Sequence, residues 1–157
     1  HKAKISKATK GRKAWNEGKK MTKEHVLKNM VAHIKYDVDL EFYKQFDEVE
    51  KIKCLNRMLT RERVSKHFDT KKYKSFITKF YNDEQFNAVY QKWIDTNEDK
   101  WAAPSLDHIQ PICKGGSYEL DNLQVLTWFE NRAKCDMTDD EWQEFKLKTK
   151  TTSTYFV

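Results

Sequence analysis

The sequence predicts an α+β fold: a mainly helical chain, with a small hairpin-helix unit near its C-terminus and an extended basic arm at its N-terminus. Three observations predict it. Apolar residues recur at helical spacing through much of residues 23–95. After Pro104 the texture changes to two short apolar runs around a Gly-Gly turn, followed by a helix-start signal. Residues 1–21 have no apolar period, contain Gly11 and Gly18, and are rich in Lys and Arg.

Taken in order, Thr22 is placed to cap a helix over 23–34, with Val26, Leu27, Met30, Val31 and Ile34 on one face. Asp39 starts a second helix, whose stripe of Phe42, Phe46 and Val49 runs on towards Leu55 and Leu59. Such stripes are core-facing. Residues 60–81 read as two short helices around a turn near Asp69. That is a loose match to a helix-turn-helix, and a plain basic helical pair is the simpler reading. Asp83 caps a helix over 84–95 that buries Phe86, Val89, Tyr90, Trp93 and Ile94. Segments 31–39 and 96–103 serve as hinges.

Beyond Pro104, residues 105–109 form a short strand and Lys114–Ser117 a turn. Residues 123–127 form a second strand. Thr127 and Glu130 make a capping box that opens a helix carrying Asn131. Thr138 and Glu141 make another, opening a last helix with Trp142, Phe145 and Leu147. Trp93, Trp101 and Pro104 are expected to pack beneath the hairpin as core. The chain thus divides into a basic arm and short helix (1–34), a helical basic region (35–100) and a hairpin-helix unit (101–157).

Charged residues are 34% of the chain and aromatics 13%, so a small ordered core under a heavily solvated surface is expected. No apolar run approaches the ~20 residues of a membrane helix. No signal peptide is visible. The three cysteines are odd in number and widely spaced, with no CxxC pair. Reduced thiols and a cytoplasmic location are expected, without a zinc ribbon. The net charge of +6 is unevenly spread: residues 1–30 and 51–79 each hold ten Lys and Arg against two acids. Two basic blocks on an otherwise acidic chain point to a polyanion, most commonly nucleic acid.

The chemistry lies in 104–136. Asp107 and His108 are adjacent, so on a regular strand they face opposite sides. A carboxylate and the amide oxygen of Asn131 are hard donors that suit Mg²⁺ or Mn²⁺. An imidazole left off the metal suits general-base work. Base and cation together are what phosphodiester hydrolysis needs. By itself an Asp-His pair more often marks a packed or solvated position than a catalytic one.

The wider string narrows the reading. Asp107-His108-Ile109, Pro111, Gly115-Gly116, Asp121-Asn122-Leu123-Gln124, Asn131 and Lys134 resemble, in order and spacing, the HNH nuclease family. The resemblance implies a ββα-metal unit. In it Asp107 and Asn131 bind one Mg²⁺ or Mn²⁺, and His108 is the general base. Asn122 braces the loop and orients His108 through backbone hydrogen bonds. Glu130 stands where a cysteine often precedes the Asn, and Cys113 has no paired cysteine, so no structural zinc is expected. Asn131 replaces the family's frequent His and still supplies an oxygen.

Residues 6–29 resemble the nuclease-associated modular DNA-binding motif of homing endonucleases through Gly11-Arg12, Trp15-Asn16, Gly18-Lys19-Lys20 and the Thr22–Glu24 helix start. Expected DNA contacts are Lys10, Arg12, Lys13, Trp15, Asn16, Lys19 and Lys20 in the arm. Arg57, Arg61, Arg63, Lys71, Lys72 and Lys74 are expected in the middle block, and Arg132 and Lys134 beside the site. The combined expectation is a homing endonuclease acting on double-stranded DNA, more often a monomer, which would nick one strand. The alternatives are a restriction-type, packaging or structure-specific HNH nuclease, or a DNA-binding protein with a vestigial nuclease fold.

Overall fold

The computed structural model describes residues 21–62, 64–149 and 156, and there the chain is mainly helical α+β, with one two-stranded antiparallel hairpin packed on helices. The expected contacts Lys10, Arg12, Lys13, Trp15, Asn16, Lys19, Lys20 and Arg63 lie outside the described residues.

Helix α1 (Lys23–His33) begins where Thr22 Oγ1 accepts the His25 amide at 3.2 Å, and Leu27 is its one fully buried residue. Asp39 caps α2 (Leu40–Lys44) by accepting the Phe42 amide. The continuous helix expected from Asp39 is not formed. It stops after five residues, and α3 runs separately over Val49–Arg61. The break has a tertiary cause: the Tyr81 hydroxyl accepts the amides of Asp47 and Glu48 at 3.1 and 2.9 Å. Backbone donors that a helix would have used are satisfied from 33 or more residues away.

The middle block is a helical pair. A 3₁₀ turn (Val64–His67) links α3 to α4 (Thr70–Tyr81), and Asp69 is the N-cap of α4 rather than the centre of a turn. Helix α5 (Glu84–Asp95) is capped by Asp83 and fully buries Phe86 and Val89. Tyr90 and Trp93 are half-buried, whereas Ile94 is exposed. Between α2, α3 and α4, Tyr73 donates to Asn56 Oδ1 at 2.8 Å and lies 2.7 Å from the Tyr43 hydroxyl, so the two buried hydroxyls satisfy one another.

Strands β1 (Pro104–His108) and β2 (Leu123–Thr127) pair with Pro104 opposite Thr127 and His108 opposite Leu123. Helix α3 packs on β1 and α5 on β2, and Leu106, Leu123 and Val125 join the helical core. Both capping boxes form. The first opens α6 (Trp128–Lys134) and the second α7 (Asp139–Thr149). Helix α7 buries only Trp142. Phe145 lies stacked on that ring from outside, and Leu147 is 79% exposed. Pro104 is buried as expected, but Trp101 is not core. Among the described residues no helix is long and apolar enough to cross a membrane.

The loop after β1 turns on two glycines with different demands. Gly115 has φ +84 and open space around its Cα, while a Cβ on Gly116 would sit 1.8 Å from the Gln110 carbonyl oxygen. Gly115→Ala should therefore cost only the ~1–2 kcal/mol of left-handed strain. Gly116→Ala must shift backbone and should lose more, up to ~3 kcal/mol. Urea denaturation of the two variants checks the order.

Candidate catalytic centre

Asp107 and His108 are the last two residues of β1. Both line one cleft of about 570 Å³ with Pro111, Ile112, Cys113, Asn131, Arg132, Cys135 and Asp136. Three of the expected site residues, Asp107, His108 and Asn131, are thus brought together. Asn122 lies in the loop behind.

Lys134, expected at the surface on DNA, is fully buried instead. Its Nζ lies 2.9 Å from Asp107 Oδ2 and donates to the His108 carbonyl at 2.9 Å. A side chain with no exposed surface cannot contact a phosphate. The residue is an internal cation that ties the end of α6 to the end of β1. Gln124, opposite Asp107 in the ladder, donates to the same oxygen at 3.0 Å. Both contacts use Oδ2, and neither uses Oδ1.

Asn131 sits one turn before Lys134 on α6. Its Nδ2 donates to Ser105 Oγ and to the Leu106 carbonyl, both at 2.9 Å. With the NH₂ committed to β1, the amide oxygen is turned away from it. Ser105 Oγ also lies 3.5 Å from Glu62 Oε1, which links α3 to the site. Burial, assisted by the Asp107 charge, pushes the Glu62 carboxyl up, against the opposing pull of Arg61 and a hydrogen bond from Ser105.

His108 packs its ring edge against Tyr118, which stacks on His67 at 3.6 Å. Its Nε2 is buried and has no partner. Burial lowers its pKa below the ordinary 6.5. Asp107 opposes that shift, while Lys134 and His67 add to it. Burial thus favours the neutral ring, in which one nitrogen keeps its lone pair.

Asn122 binds both sides of the loop. Its Oδ1 accepts the Gln110 amide at 2.8 Å, and its Nδ2 donates to the carbonyls of Gln110 and Ser117. Its own carbonyl accepts the Ile109 amide. These bonds stop at the two residues after His108. The brace acts on the loop, not on His108 directly.

Two uncommitted oxygens of one carboxylate and one amide fit a hard cation such as Mg²⁺ or Mn²⁺ that keeps several waters. Among the described residues no group of three His, Cys, Asp or Glu gathers to hold an ion. Glu130 is fully buried and caps α6 through Thr127. Cys113 and Cys135 are exposed on the cleft, and Cys135 has φ +52.

The remaining expected DNA contacts are dispersed. Arg57 and Arg61 are exposed one turn apart on α3. Lys71 is exposed. Lys72 pairs with Glu119 at 2.8 Å in a separate recess, and Lys74 lies 5.5 Å over the Phe42 ring. Only Arg132 shares the cleft. Reading the sequence missed Ser105, Gln124 and Glu62. The pleat gave a signal for Gln124, two places before Leu126 on the same strand, but only pairing shows it opposite Asp107.

Removing one partner of a buried ion pair leaves the other uncompensated. Lys134→Met should lower stability by ~3–5 kcal/mol in urea denaturation. The lowered His108 pKa has a definite sign: the unfolded chain binds the proton more readily. Stability is fully present above the ordinary imidazole value of 6.5 and falls as pH drops below it. Denaturation midpoints measured from about pH 8 to about pH 5 should fall less steeply in His108→Ala than in the wild type.

In comparisons with known proteins, no family model, no curated protein and no solved structure matches the chain.

Proposed function

We propose that the chain is a metal-dependent DNA endonuclease that hydrolyses phosphodiester bonds to 5′-phosphate and 3′-hydroxyl ends. The observation that carries this reading is the meeting in one cleft of a carboxylate, an oriented amide and a neutral imidazole, backed by a buried cation. In this reading Asp107 and Asn131 hold one Mg²⁺ or Mn²⁺. When bound, that ion supplies charge stabilisation for the departing 3′-oxygen.

The chain's own residues do the rest. The His108 lone pair takes a proton from the attacking water, and burial keeps that lone pair free at neutral pH. Lys134 holds Asp107 by Oδ2, which leaves Oδ1 for the cation. The Ser105 and Leu106 contacts fix the Asn131 amide in one orientation. Asn122 and Gly116 fold the loop that forms the cleft wall. Arg132, exposed on the cleft, is placed to meet a phosphate.

Site specificity of the homing type is part of the proposal and rests on the resemblance of residues 6–29. The described residues hold one such cleft, so in this reading a monomer nicks one strand of double-stranded DNA.

Supercoiled plasmid incubated with Mg²⁺ tests the reading. The wild type should relax it, and His108→Ala should slow relaxation by about 10²–10⁴-fold. Undiminished relaxation by the variant would remove His108 from the mechanism. The acid limb of the wild-type pH–rate profile should fall below 6.5, because burial lowers the base's pKa. An acid limb above that value contradicts the assignment.

A further inference from the structure

Next to the cleft, four side chains form an aromatic and cationic ledge. Trp101 sits in a 3₁₀ turn (Lys100–Ala102) whose start is fixed by Asp99 Oδ1 accepting the Trp101 amide at 2.9 Å. The Trp101 side chain is not absorbed into the core, and the residue is 42% exposed. Its ring stands edge-on to Trp128 (centroids 5.2 Å apart, 78°) and to Phe129 (6.2 Å). The Trp128 amide donates to the Ala103 carbonyl at 2.8 Å, which locks the start of α6 to the ledge.

Two cations cover these rings. Lys100 Nζ lies 5.6 Å from the Trp101 centroid and 5.3 Å from that of Trp128, and the Arg132 guanidinium lies 4.6 Å over Trp128. Neither cation forms an ion pair among the described residues. Other surface lysines near acids do pair, as Lys72 does with Glu119 and Lys114 with Glu141. Arg132 belongs to both the ledge and the cleft, so the two are continuous.

An exposed indole with Lys100 over its ring, beside a second indole covered by Lys100 and Arg132, neither cation ion-paired among the described residues, matches the chemistry of a nucleic-acid strand. Every base offers a π-face, and every linkage beside it offers a negative charge. We propose that Lys100, Trp101, Trp128 and Arg132 form a strand-binding ledge, on which Trp101 stacks against an unpaired base while Lys100 and Arg132 contact the flanking phosphates. The proposal rests on the nuclease reading above and deepens it: the ledge takes the DNA strand beside the cleft, and it favours substrate whose bases are locally unpaired.

The test measures binding without cleavage. The full chain in EDTA is titrated, by fluorescence anisotropy, into a labelled short duplex containing a central mismatch bubble and into its fully paired counterpart. The wild type should bind the bubble more tightly. Trp101→Ala should weaken bubble binding about ten-fold or more and abolish the preference, and Trp101→Phe should retain part of it. Trp101 is partly exposed, so circular dichroism should show the fold intact. Equal binding of both DNAs by wild type and Trp101→Ala overturns the ledge alone. Failure of the wild type to bind either DNA overturns the ledge and the nuclease reading together. Loss of binding to both DNAs by the same factor in Trp101→Ala, with no bubble preference in the wild type, overturns the stacking role.

Discussion

A fully buried ammonium cannot persist in a protein interior without a counter-charge, and Lys134 has Asp107 at 2.9 Å. That constraint sets the geometry of the hairpin-helix unit. Lys134 is the last residue of α6, Asp107 the last but one of β1, and the same ammonium holds the His108 carbonyl. Helix and strand are therefore pinned at one point. One helical turn back, Asn131 falls opposite the Ser105 side chain and the Leu106 carbonyl, where its NH₂ is consumed. The orientation of both proposed oxygen donors thus follows from where the buried cation sits.

Around that point the scaffold is rigid for separate reasons. The capping box of Thr127 and Glu130 starts α6 at a fixed residue, with Glu130 itself buried. Asn122 closes the loop by three side-chain hydrogen bonds, and the missing Cβ of Gly116 lets that loop fold back on Gln110. Helices α3 and α5 pack on the hairpin, which as two strands alone would be marginal in water. The helical region thus supports the site, and Glu62 and His67 from that region stand near Ser105 and Tyr118 of the hairpin-helix unit.

Features set by local chemistry were legible in the sequence. The Asp39, Asp69 and Asp83 caps, β2 from Leu123 to Thr127, and both T-x-x-E boxes depend on residues within four positions of each other. The features that were not legible depend on partners far away in the chain. The gap between α2 and α3 is made by the Tyr81 hydroxyl. Phe145 and Leu147 continue an apolar pattern, yet only Trp142 finds the core, and Trp101 reads as core but stands outside. Lys134 is the sharpest case. Its charge suggested a surface phosphate contact, and only the fold shows that the charge is spent inside. Asp107, His108 and Asn131 line one cleft, while the basic residues of the middle block do not converge with them.

The pairing has an electrostatic consequence for the proposed cofactor. Lys134 neutralises the Asp107 charge, so the free cleft offers a cation little net attraction. In the proposed reading, substrate phosphate then contributes to holding the ion, as is common for Mg²⁺ sites with few carboxylates. The most direct measurement is Mn²⁺ binding by electron paramagnetic resonance, for wild type and Asn131→Ala, with and without a short DNA duplex. The account predicts one weakly held ion in the wild type, held more tightly when DNA is present, and loss of that ion in Asn131→Ala. Equal binding by the two proteins, or no effect of DNA on the wild type, would contradict it.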